Sequence, residues 1–474
     1  MRDFITHPRL KRGKIRMIYR LLKNIKTQLS LSKVGKDLLT LALPIIGAHL
    51  LHTAYNLTDM IWVGELGSNA VAAVGSAGFF INIGWALASV ITVGVNVKIA
   101  HSIGAKDMKS AGRFAISGLW GISFLSVLFT SVLLVWPSEF IGFFEMKDVI
   151  VNEMATSYLI IAASGGVLNF TNLFFISIFN AQGKTKTSLK ASLVGTSLNI
   201  LLDPIFIFLL DLGVDGAAYA TIIGRSVSLI YFIFAFRRSS LIKLKGYFPH
   251  LDKVKSIITV GFPAAFQRIS FSLIYIVMAR IIAEWGPTAI AVQKIGVQIE
   301  AFTFMIVGGL MQAVTITVGK HYGAKDMDQI PKVFRAAWQM AFVVGLLTTL
   351  MFLLIPETLF SIFVPEAESI AMGKSYLNIL AISQLFMCME MIAAANFHGV
   401  GKTSVPAMVS VIFTSLRIPL AYVLGFYTFL SLNGVWWSIS LTSIVKGVLL
   451  FFILKAYFRK NNLRFEKVFV FKKR

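Results

Sequence analysis

The chain has 474 residues, of which 56% are hydrophobic and 14% are charged, and it carries a formal net charge of +23. This composition is more apolar than the core of a water-soluble protein requires, so most of the chain is predicted to face lipid. The one cysteine, Cys388, excludes an intramolecular disulfide and a CxxC metal motif, and the histidines form no HExxH motif, which disfavours redox or metal-dependent catalysis.

The first segment, residues 1–36, is strongly basic, with eleven lysines and arginines against one acid, Asp3. In a soluble protein such charge would indicate nucleic acid, but ahead of apolar stretches it is typical of a basic amphipathic arm on an anionic membrane surface. We therefore expect contact with lipid and no nucleic-acid partner. No short apolar stretch with a small-residue cleavage site follows the arm, so a secretory signal is not predicted.

Twelve apolar stretches follow, each near or above the roughly 20 residues that a helix needs to cross a bilayer. In the first half they lie near 38–63, 71–101, 110–136, 151–180, 188–211 and 214–236. In the second half they lie near 254–283, 288–319, 332–355, 372–398, 404–429 and 432–457. The predicted fold class is all-α: a polytopic membrane protein with twelve transmembrane helices.

The loops between the stretches alternate in charge. Lysines and arginines follow the second, fourth, sixth, eighth and tenth stretches, whereas acids follow the third, fifth and ninth. Since cytoplasmic loops concentrate Lys and Arg, the basic loops and both termini are predicted to be cytoplasmic. The expected location is a bacterial inner (plasma) membrane. The predicted domains are a basic cytoplasmic N-terminal arm (1–36), an N-lobe (37–236), a cytoplasmic linker (237–253), a C-lobe (254–457) and a basic cytoplasmic tail (458–474).

The two halves are related by an internal repeat. Residues 104–108 (Gly-Ala-Lys-Asp-Met) are identical to residues 323–327, and the register between them extends back to Pro44 and Pro263 without a gap. Because each half has six stretches, both lobes begin on one side of the membrane and are related by a pseudo-twofold axis along the membrane normal. Such repeats are typical of transporters in which one lobe rocks against the other.

A few ionisable side chains lie within the apolar stretches, where burial is costly and each is a functional candidate. Asp59 in the first stretch is interpreted as a cation-handling residue or as an interfacial residue bonded to nearby backbone. Asn199 and Asp203, four residues apart in the fifth stretch, share one helical face and could coordinate one ion or share one proton. Because Pro204 follows, Asp203 could instead satisfy backbone groups at a helix break.

Other interior polar residues leave further alternatives open. Asn169 and Asn172, three apart in the fourth stretch, offer amide oxygens to a cation or hydrogen bonds to a neighbouring helix. The second half holds an interior polar set whose members could neutralise one another: Gln267, Arg268, Lys294, Glu300, Glu390 and Arg417. Of these, Lys294, Glu300 and Arg417 are interpreted mainly as structural pairs, and the alternative is that Glu390 or Glu300 takes part in the transport cycle. A buried carboxylate suits a proton and neutral oxygens suit Na⁺, so the residues alone do not choose the coupling ion.

Several motifs together resemble those of the multidrug and toxic compound extrusion (MATE) family. Residues 55–67 (Tyr-Asn-Leu-Thr-Asp-Met-Ile-Trp-Val-Gly-Glu-Leu-Gly) are similar to the first-helix signature of that family. Gly-Ala-Lys-Asp at 104–107, Ala-Gln-Gly-Lys-Thr-Lys-Thr at 181–187 and Asn-Ile-Leu-Leu-Asp-Pro at 199–204 resemble further family patterns. The similarity runs from about Leu38 to Leu454, which is most of the chain.

The resemblance implies a V-shaped pair of six-helix lobes that exports cationic or amphipathic compounds by alternating access, in exchange for protons or sodium and with no cofactor. In the DinF-like branch of the family, an aspartate of the first helix and an Asn/Asp pair of the fifth form a cation site. Asp59, Asn199 and Asp203 match those positions and are the predicted H⁺ or Na⁺ site. Asn169 and Asn172 are its expected neighbours.

The NorM-like branch of the family relies instead on acids of the seventh and tenth helices, and here the chain departs from the pattern. Gln267 lies in the seventh stretch, and Met387 stands where the tenth-helix acid is expected, with Glu390 one turn further along. We therefore expect coupling in the N-lobe of a monomeric transporter. Tyr55, Asn56, Gln267 and Glu390 are assigned to the substrate cavity.

Three functions other than efflux are alternatives for a chain of this kind. A lipid-linked oligosaccharide flippase of the same superfamily would have a more basic cavity, and Arg225, Arg268 and Arg417 keep that alternative open. A membrane-embedded enzyme is disfavoured because no nucleophile lies at a recognisable spacing from a base. An ion channel is disfavoured because no filter-like sequence is present.

Overall fold

The computed structural model describes residues 32–146, 148–243 and 246–463. Most of the predicted arm and of the predicted tail lies outside these residues. The described part of the chain is all-α, as predicted, and contains no strand. Eleven of its helices are long and apolar enough to cross a membrane, and one bent pair of helices supplies the twelfth span.

The first six spans are named α1 to α6. Their bounds are Lys33–Glu65, Ser68–Gly104, Met108–Val135, the two arms Val149–Ser164 and Gly166–Gln182 of α4, Thr185–Pro204 and Gly213–Ser239. Helix α1 begins inside the predicted arm because the Ser32 side chain accepts the backbone N–H of Gly35 and caps the first turn. Asp107 caps α3 in the same way, and the hydrogen bond from the backbone N–H of Ser110 lowers the pKa of its carboxyl.

The second six spans are named α7 to α12. Their bounds are Leu251–Ile282, Pro287–Gly323, Gln329–Leu354, Ala367–Gly399, the two arms Ser404–Ser415 and Arg417–Phe426 of α11, and Leu432–Lys460. A short helix that begins with proline follows both α3 and α9, at Pro137–Gly142 and Pro356–Ser361. The spans thus follow the same order in the two halves, although α4 and α11 are the ones divided into two arms.

Helix α4 differs from its prediction as one continuous span. Its two arms meet at a bend of 48° beside Gly165. Gly165 and Gly166 lack side chains, so Ile222 of α6 and Thr130 of α3 occupy the space that a Cβ would need. The pattern of apolar residues does not reveal this bend because both arms are equally apolar, whereas close approach of two neighbouring helices produces it.

The internal repeat extends to the backbone conformation. Lys106 and Lys325, at equivalent positions of the repeated loop, both adopt a φ of 58°. Such left-handed conformations are uncommon for residues other than glycine, so their recurrence is informative. Two equivalent pairs of glycines agree as well: Gly67 (100°) with Gly286 (89°), and Gly183 (83°) with Gly401 (79°).

The two lobes join at the end that carries the basic loops. Helix α2 packs against α7 and α8, and α1 packs against α8. At this end the apolar cores cross between lobes, because Leu38 and Ala42 of α1 enter the C-lobe core and Ile257 of α7 enters the N-lobe core. At the opposite end each described core draws only on its own lobe. This distribution is that of two lobes joined at one end.

The junction is built symmetrically around glycines. A Cβ on Gly104 would overlap the carbonyl of Lys320, and a Cβ on Gly323 would overlap the carbonyl of His101. Those two partners are themselves equivalent in the repeat, and each makes a hydrogen bond across the junction. His101 Nε2 donates to the Gly399 carbonyl at 2.6 Å, and Lys320 Nζ donates to the Gln182 carbonyl at 3.1 Å.

The substitution Gly104→Ala is expected to weaken this junction, because the new methyl group must push the Lys320 backbone away. Overpacking of this kind typically costs about 1–3 kcal/mol. Thermal unfolding of the purified protein measures the loss as a lower midpoint. Gly64→Ala is the matched control, since a Cβ on that helical glycine meets nothing within 4 Å. Equal midpoints for the two variants would contradict the prediction.

Candidate functional site

Polar side chains of four N-lobe helices meet inside the lobe. Helices α1, α4, α5 and α6 pack against one another there. They contribute the residues that we call the N-lobe cluster: Tyr55, Asp59, Asn169, Asn172, Asn199, Asp203, Thr221 and Arg225. All five residues of the predicted coupling site therefore lie in the same lobe and belong to one group of packed helices.

Hydrogen bonds connect α1, α5 and α6 within this cluster. The Asn199 amide donates from Nδ2 to Asp203 Oδ1 at 3.2 Å and lies 3.4 Å from Thr221 Oγ1. The Thr221 and Tyr55 hydroxyls form a further hydrogen bond of 3.0 Å. The prediction that Asn199 and Asp203 share one helical face is confirmed by this geometry.

Asp203 lies at the point where α5 loses regular geometry. Pro204 ends the α-helix, and a turn of π-helix at Ile205–Leu209 follows. The Asp203 side chain is fully buried, at 0% exposure, and Asn199 is almost as inaccessible. The carboxylate is therefore held away from bulk water, and its recorded side-chain partner is an amide rather than a helix-end N–H.

Four oxygens of the cluster are buried and have no hydrogen-bond partner. They are Asp59 Oδ1, Asn172 Oδ1, Asn199 Oδ1 and Asp203 Oδ2. All four can accept but cannot donate when the carboxylates are ionised, so a cation or a hydrogen-bond donor would satisfy them, and a proton could bind to either carboxylate. Oxygen ligands of this kind suit a hard cation. In the described residues no group of three or more His, Cys, Asp and Glu side chains has the arrangement of a metal site.

Arg225 brings a fixed positive charge to the cluster. Its Nη1 donates to Asn169 Oδ1, and its backbone carbonyl accepts from Asn172 Nδ2 at 2.9 Å. The guanidinium also interacts electrostatically with Asp59. The sequence pointed to Arg225 only as a feature of the flippase alternative, and did not place it beside the predicted cation site.

A cavity of about 370 Å³ opens beside the cluster within the N-lobe. Tyr55 and Asn56, two of the residues predicted to contact substrate, line it together with Asp59. Aromatic and cationic groups complete much of the wall: His52, Trp85, Phe129, Tyr158, Phe170 and Arg225. A mostly apolar volume with a few polar groups is typical of sites for drug-sized molecules. Asp59 thus belongs to both the cavity wall and the polar cluster.

The structure does not bring Gln267 or Glu390 to this cavity. Gln267 is half-buried on α7. Glu390 is buried on α10, where Lys446 Nζ lies 3.1 Å from Oε2 and Ser410 donates to Oε1 at 3.0 Å. Glu390 therefore has an internal cation as its partner.

A second buried acid of the C-lobe, Glu300, is also fully partnered. Tyr376 donates to its Oε1 at 2.6 Å, and Gln384 donates to its Oε2 at 3.0 Å. Arg417 donates instead to the hydroxyls of Thr442 and Ser443. Glu300 and Arg417 form no salt bridge with each other in the described part of the chain, but Arg417 interacts electrostatically with both Glu300 and Glu390. Their interpretation as structural pairs stays a prediction. Lys294 is exposed.

Two further residues of these networks, Thr221 and Lys446, are not among the residues predicted from the sequence. Thr221 is one of many threonines in apolar helices, and nothing in its local sequence distinguishes it. Lys446 did carry a signal, because it is an isolated charge within an apolar stretch, and such residues are expected to have a partner. Its partner, Glu390, lies 56 positions away in the chain.

Comparison with known families identifies the chain's relatives. A family model described as MatE matches residues 44–205 and 263–423. A probable multidrug resistance protein NorM of Thermotoga maritima is 28% identical over 470 residues, which cover 95% of this chain and 99% of the relative. The multidrug export protein MepA of Staphylococcus aureus is 23% identical over 414 residues, covering 86% of this chain and 90% of the relative.

Two solved transporter structures are similar to this chain over most of its length. One is a MOP superfamily transporter from Pyrococcus furiosus, described as having a binding pocket of reverse polarity that suggests a different function. Its TM-score is 0.85 and its sequence identity is 26%, and the match covers 91% of this chain and 98% of that protein. Another is a multidrug resistance MATE family transporter in an outward-facing conformation, with a TM-score of 0.84, 26% identity and coverage of 92% and 98%. These comparisons do not separate the DinF-like from the NorM-like branch.

Proposed function

We propose that this chain, which belongs to the MatE family of integral membrane transporters, is an antiporter of the bacterial plasma membrane. It exports cationic or amphipathic small molecules in exchange for protons or sodium ions, and it works as a monomer. Members of this family are transporters rather than enzymes. The names of the curated relatives support multidrug compounds as the substrate class.

The observation that carries the proposal is a difference between the two lobes. In the C-lobe, both oxygens of Glu300 and both oxygens of Glu390 have partners within the protein. In the N-lobe, Asp59 and Asp203 each keep one buried oxygen without a partner. Because a buried charge must be compensated, these are the carboxylates that gain most from an incoming cation. We therefore assign coupling to the N-lobe.

Exchange follows if cation and substrate compete within one lobe. Asp59 lines the cavity and interacts electrostatically with Asp203. A cation that binds these carboxylates removes the negative charge that a cationic substrate would use in the cavity. Binding of one then weakens binding of the other, and by thermodynamic linkage the effect is reciprocal. A gradient of the cation thereby drives release of the substrate.

The direction of export rests on the orientation of the lobes. We assign the basic loops to the cytoplasm, because cytoplasmic loops concentrate Lys and Arg. The lobes join at that end, so the arrangement described above closes the cytoplasmic side. Rocking of the lobes about their junction would open the cytoplasmic side and close the opposite side.

The cavity volume supports a small molecule over a lipid-linked oligosaccharide. A volume of about 370 Å³ lies at the lower end of the range for drug-sized ligands. Of the three arginines that favour the flippase alternative, Arg225 lines this cavity, but Asp59 lines it too and offsets its charge. Arg417 does not line this cavity and donates to Thr442 and Ser443. Arg268 remains exposed on α7.

A gradient-swap assay tests the proposal. Purified protein in liposomes is expected to move a fluorescent cation when either a proton gradient or a sodium gradient is imposed, and the gradient that drives movement identifies the coupling ion. Protein-free liposomes give the background rate. Movement that is unchanged when both gradients are collapsed would refute antiport. Movement of a fluorescent lipid-linked sugar, but of no small cation, would favour the flippase.

A further inference from the structure

We propose that Arg225 is a built-in counter-ion of the N-lobe cluster and that it limits coupling to one monovalent cation per transport cycle. The inference rests on the antiport function proposed above. It adds the stoichiometry and the residue that sets it.

The Arg225 guanidinium has a fixed position at the edge of the cluster. Arg225 lines the same cavity as Asp59 and is oriented by two asparagines of α4, one on its side chain and one on its backbone carbonyl. It interacts electrostatically with Asp59, and with His52 and Tyr55 of the same helix. These contacts fix a positive charge at the edge of the cluster.

Arg225 leaves carboxylate oxygens of the cluster without a partner. Among the described residues Arg225 forms no salt bridge. Its side chain donates a hydrogen bond to the Asn169 amide oxygen, which is neutral. One oxygen of Asp59 and one oxygen of Asp203 remain without a partner. Arg225 therefore makes the cluster less negative without occupying the oxygens that would bind a cation.

The charges of the two carboxylates and the guanidinium do not cancel. Asp59 and Asp203 contribute two negative charges when ionised, and Arg225 contributes one positive charge, which leaves a net charge of minus one. The other titratable groups that face the cluster are His52, Tyr55 and Tyr158, all of which are neutral in their ordinary state above about pH 7. A net charge is costly in a site enclosed by apolar helices. One proton or one sodium ion neutralises the site, whereas a second would leave it positive.

The experiment measures stoichiometry by thermodynamic balance. Protein in liposomes is held at zero membrane potential, with the ion that drives transport in the gradient-swap assay. The substrate gradient at which net flux stops is then found for a tenfold ion gradient. One ion per substrate predicts a balancing substrate gradient of about tenfold, and two ions predict about a hundredfold.

Wild-type protein is expected to balance at about tenfold, and Arg225→Met at about a hundredfold, because removal of the positive charge leaves two charges to be neutralised. Arg225→Lys is the matched control: it keeps the charge but loses the guanidinium geometry, so it is expected to balance near the wild-type value. A wild-type balance near a hundredfold, or an Arg225→Met balance near tenfold, would overturn the inference.

A second pair of variants keeps the inference testable if Arg225→Met does not transport. Asp59→Asn leaves Asp203 and Arg225, which balance, so driven transport and ion binding are expected to be lost. The double variant Asp59→Asn/Arg225→Met restores a net charge of minus one and is expected to regain ion binding, measured calorimetrically with the coupling ion. A double variant that binds no ion would overturn the inference. If wild-type protein shows no gradient-driven transport at all, the proposed antiport fails instead.

Discussion

Gradient-driven transport is expected to fall by about 100-fold in the variant Asp203→Asn, which is the upper part of the range for coupling between two binding sites. Asp203 is fully buried, and its unpartnered Oδ2 is an oxygen that an incoming cation would satisfy. Asparagine has nearly the same shape but carries no charge, so it neither takes up and releases a proton nor compensates a sodium ion. Substrate flux under the imposed gradient, in the liposome assay, measures the loss.

The control for this variant is Asp211→Asn, eight residues further along the chain. Asp211 is exposed and adopts a left-handed conformation with φ 52°, which asparagine tolerates as well as aspartate does. Its flux is expected to match that of the wild type. Both variants are expected to be folded, with unchanged helical content by circular dichroism. Wild-type flux in folded Asp203→Asn protein would remove Asp203 from the coupling site.

Loss of stability of about 3–5 kcal/mol is expected for Lys446→Met, because the substitution leaves Glu390 buried beside no cation. The pair is almost completely enclosed, with side-chain exposures of 8% and 9%, and Lys446 also faces the ring of Phe271. Methionine fills a similar volume without a charge. The midpoint of thermal unfolding in detergent measures the effect.

A double variant separates charge from packing. Glu390→Gln in the Lys446→Met background removes the stranded charge, so it is expected to recover most of the lost stability. Lys374→Met is the surface control: Lys374 pairs with Glu357 at 2.6 Å, but both are about half exposed, and such pairs are worth about 0–1 kcal/mol. An equally small effect of Lys446→Met would show that the buried ion pair does not stabilise the C-lobe.

The two lobes use their buried acids in different ways, although they descend from one repeated unit. In the C-lobe, Lys446 neutralises Glu390, and hydroxyl and amide donors satisfy Glu300. In the N-lobe, Arg225 offsets part of the negative charge but forms no direct pair with Asp59 or Asp203. Glu390 is neutralised by a lysine of the protein itself, which is always present. The N-lobe cluster lacks one positive charge, so it must take up a cation from solution, and an ion gradient can drive that uptake. The asymmetry therefore supports N-lobe coupling on physical grounds, independently of family resemblance.

Properties that depend on neighbours along the chain could be predicted from the amino-acid sequence. Apolar length predicted twelve spans, which the structure confirms once the bent α4 is counted as one. The identity of residues 104–108 with 323–327 predicted the repeat, and the matching backbone conformations of Lys106 and Lys325 agree with it. The spacing of Asn199 and Asp203 predicted their shared face, because a helix fixes the direction of side chains four positions apart.

Contacts between side chains of different helices could not be predicted from the sequence and follow from the fold. Thr221 reaches both Tyr55 and Asn199, Arg225 lies beside Asp59, and Lys446 neutralises Glu390. The bend of α4 at Gly165 likewise depends on the approach of α3 and α6. The physical reason is that hydropathy reports whether a helix enters lipid, whereas the rotation and depth of each helix follow from packing between small residues far apart in the chain.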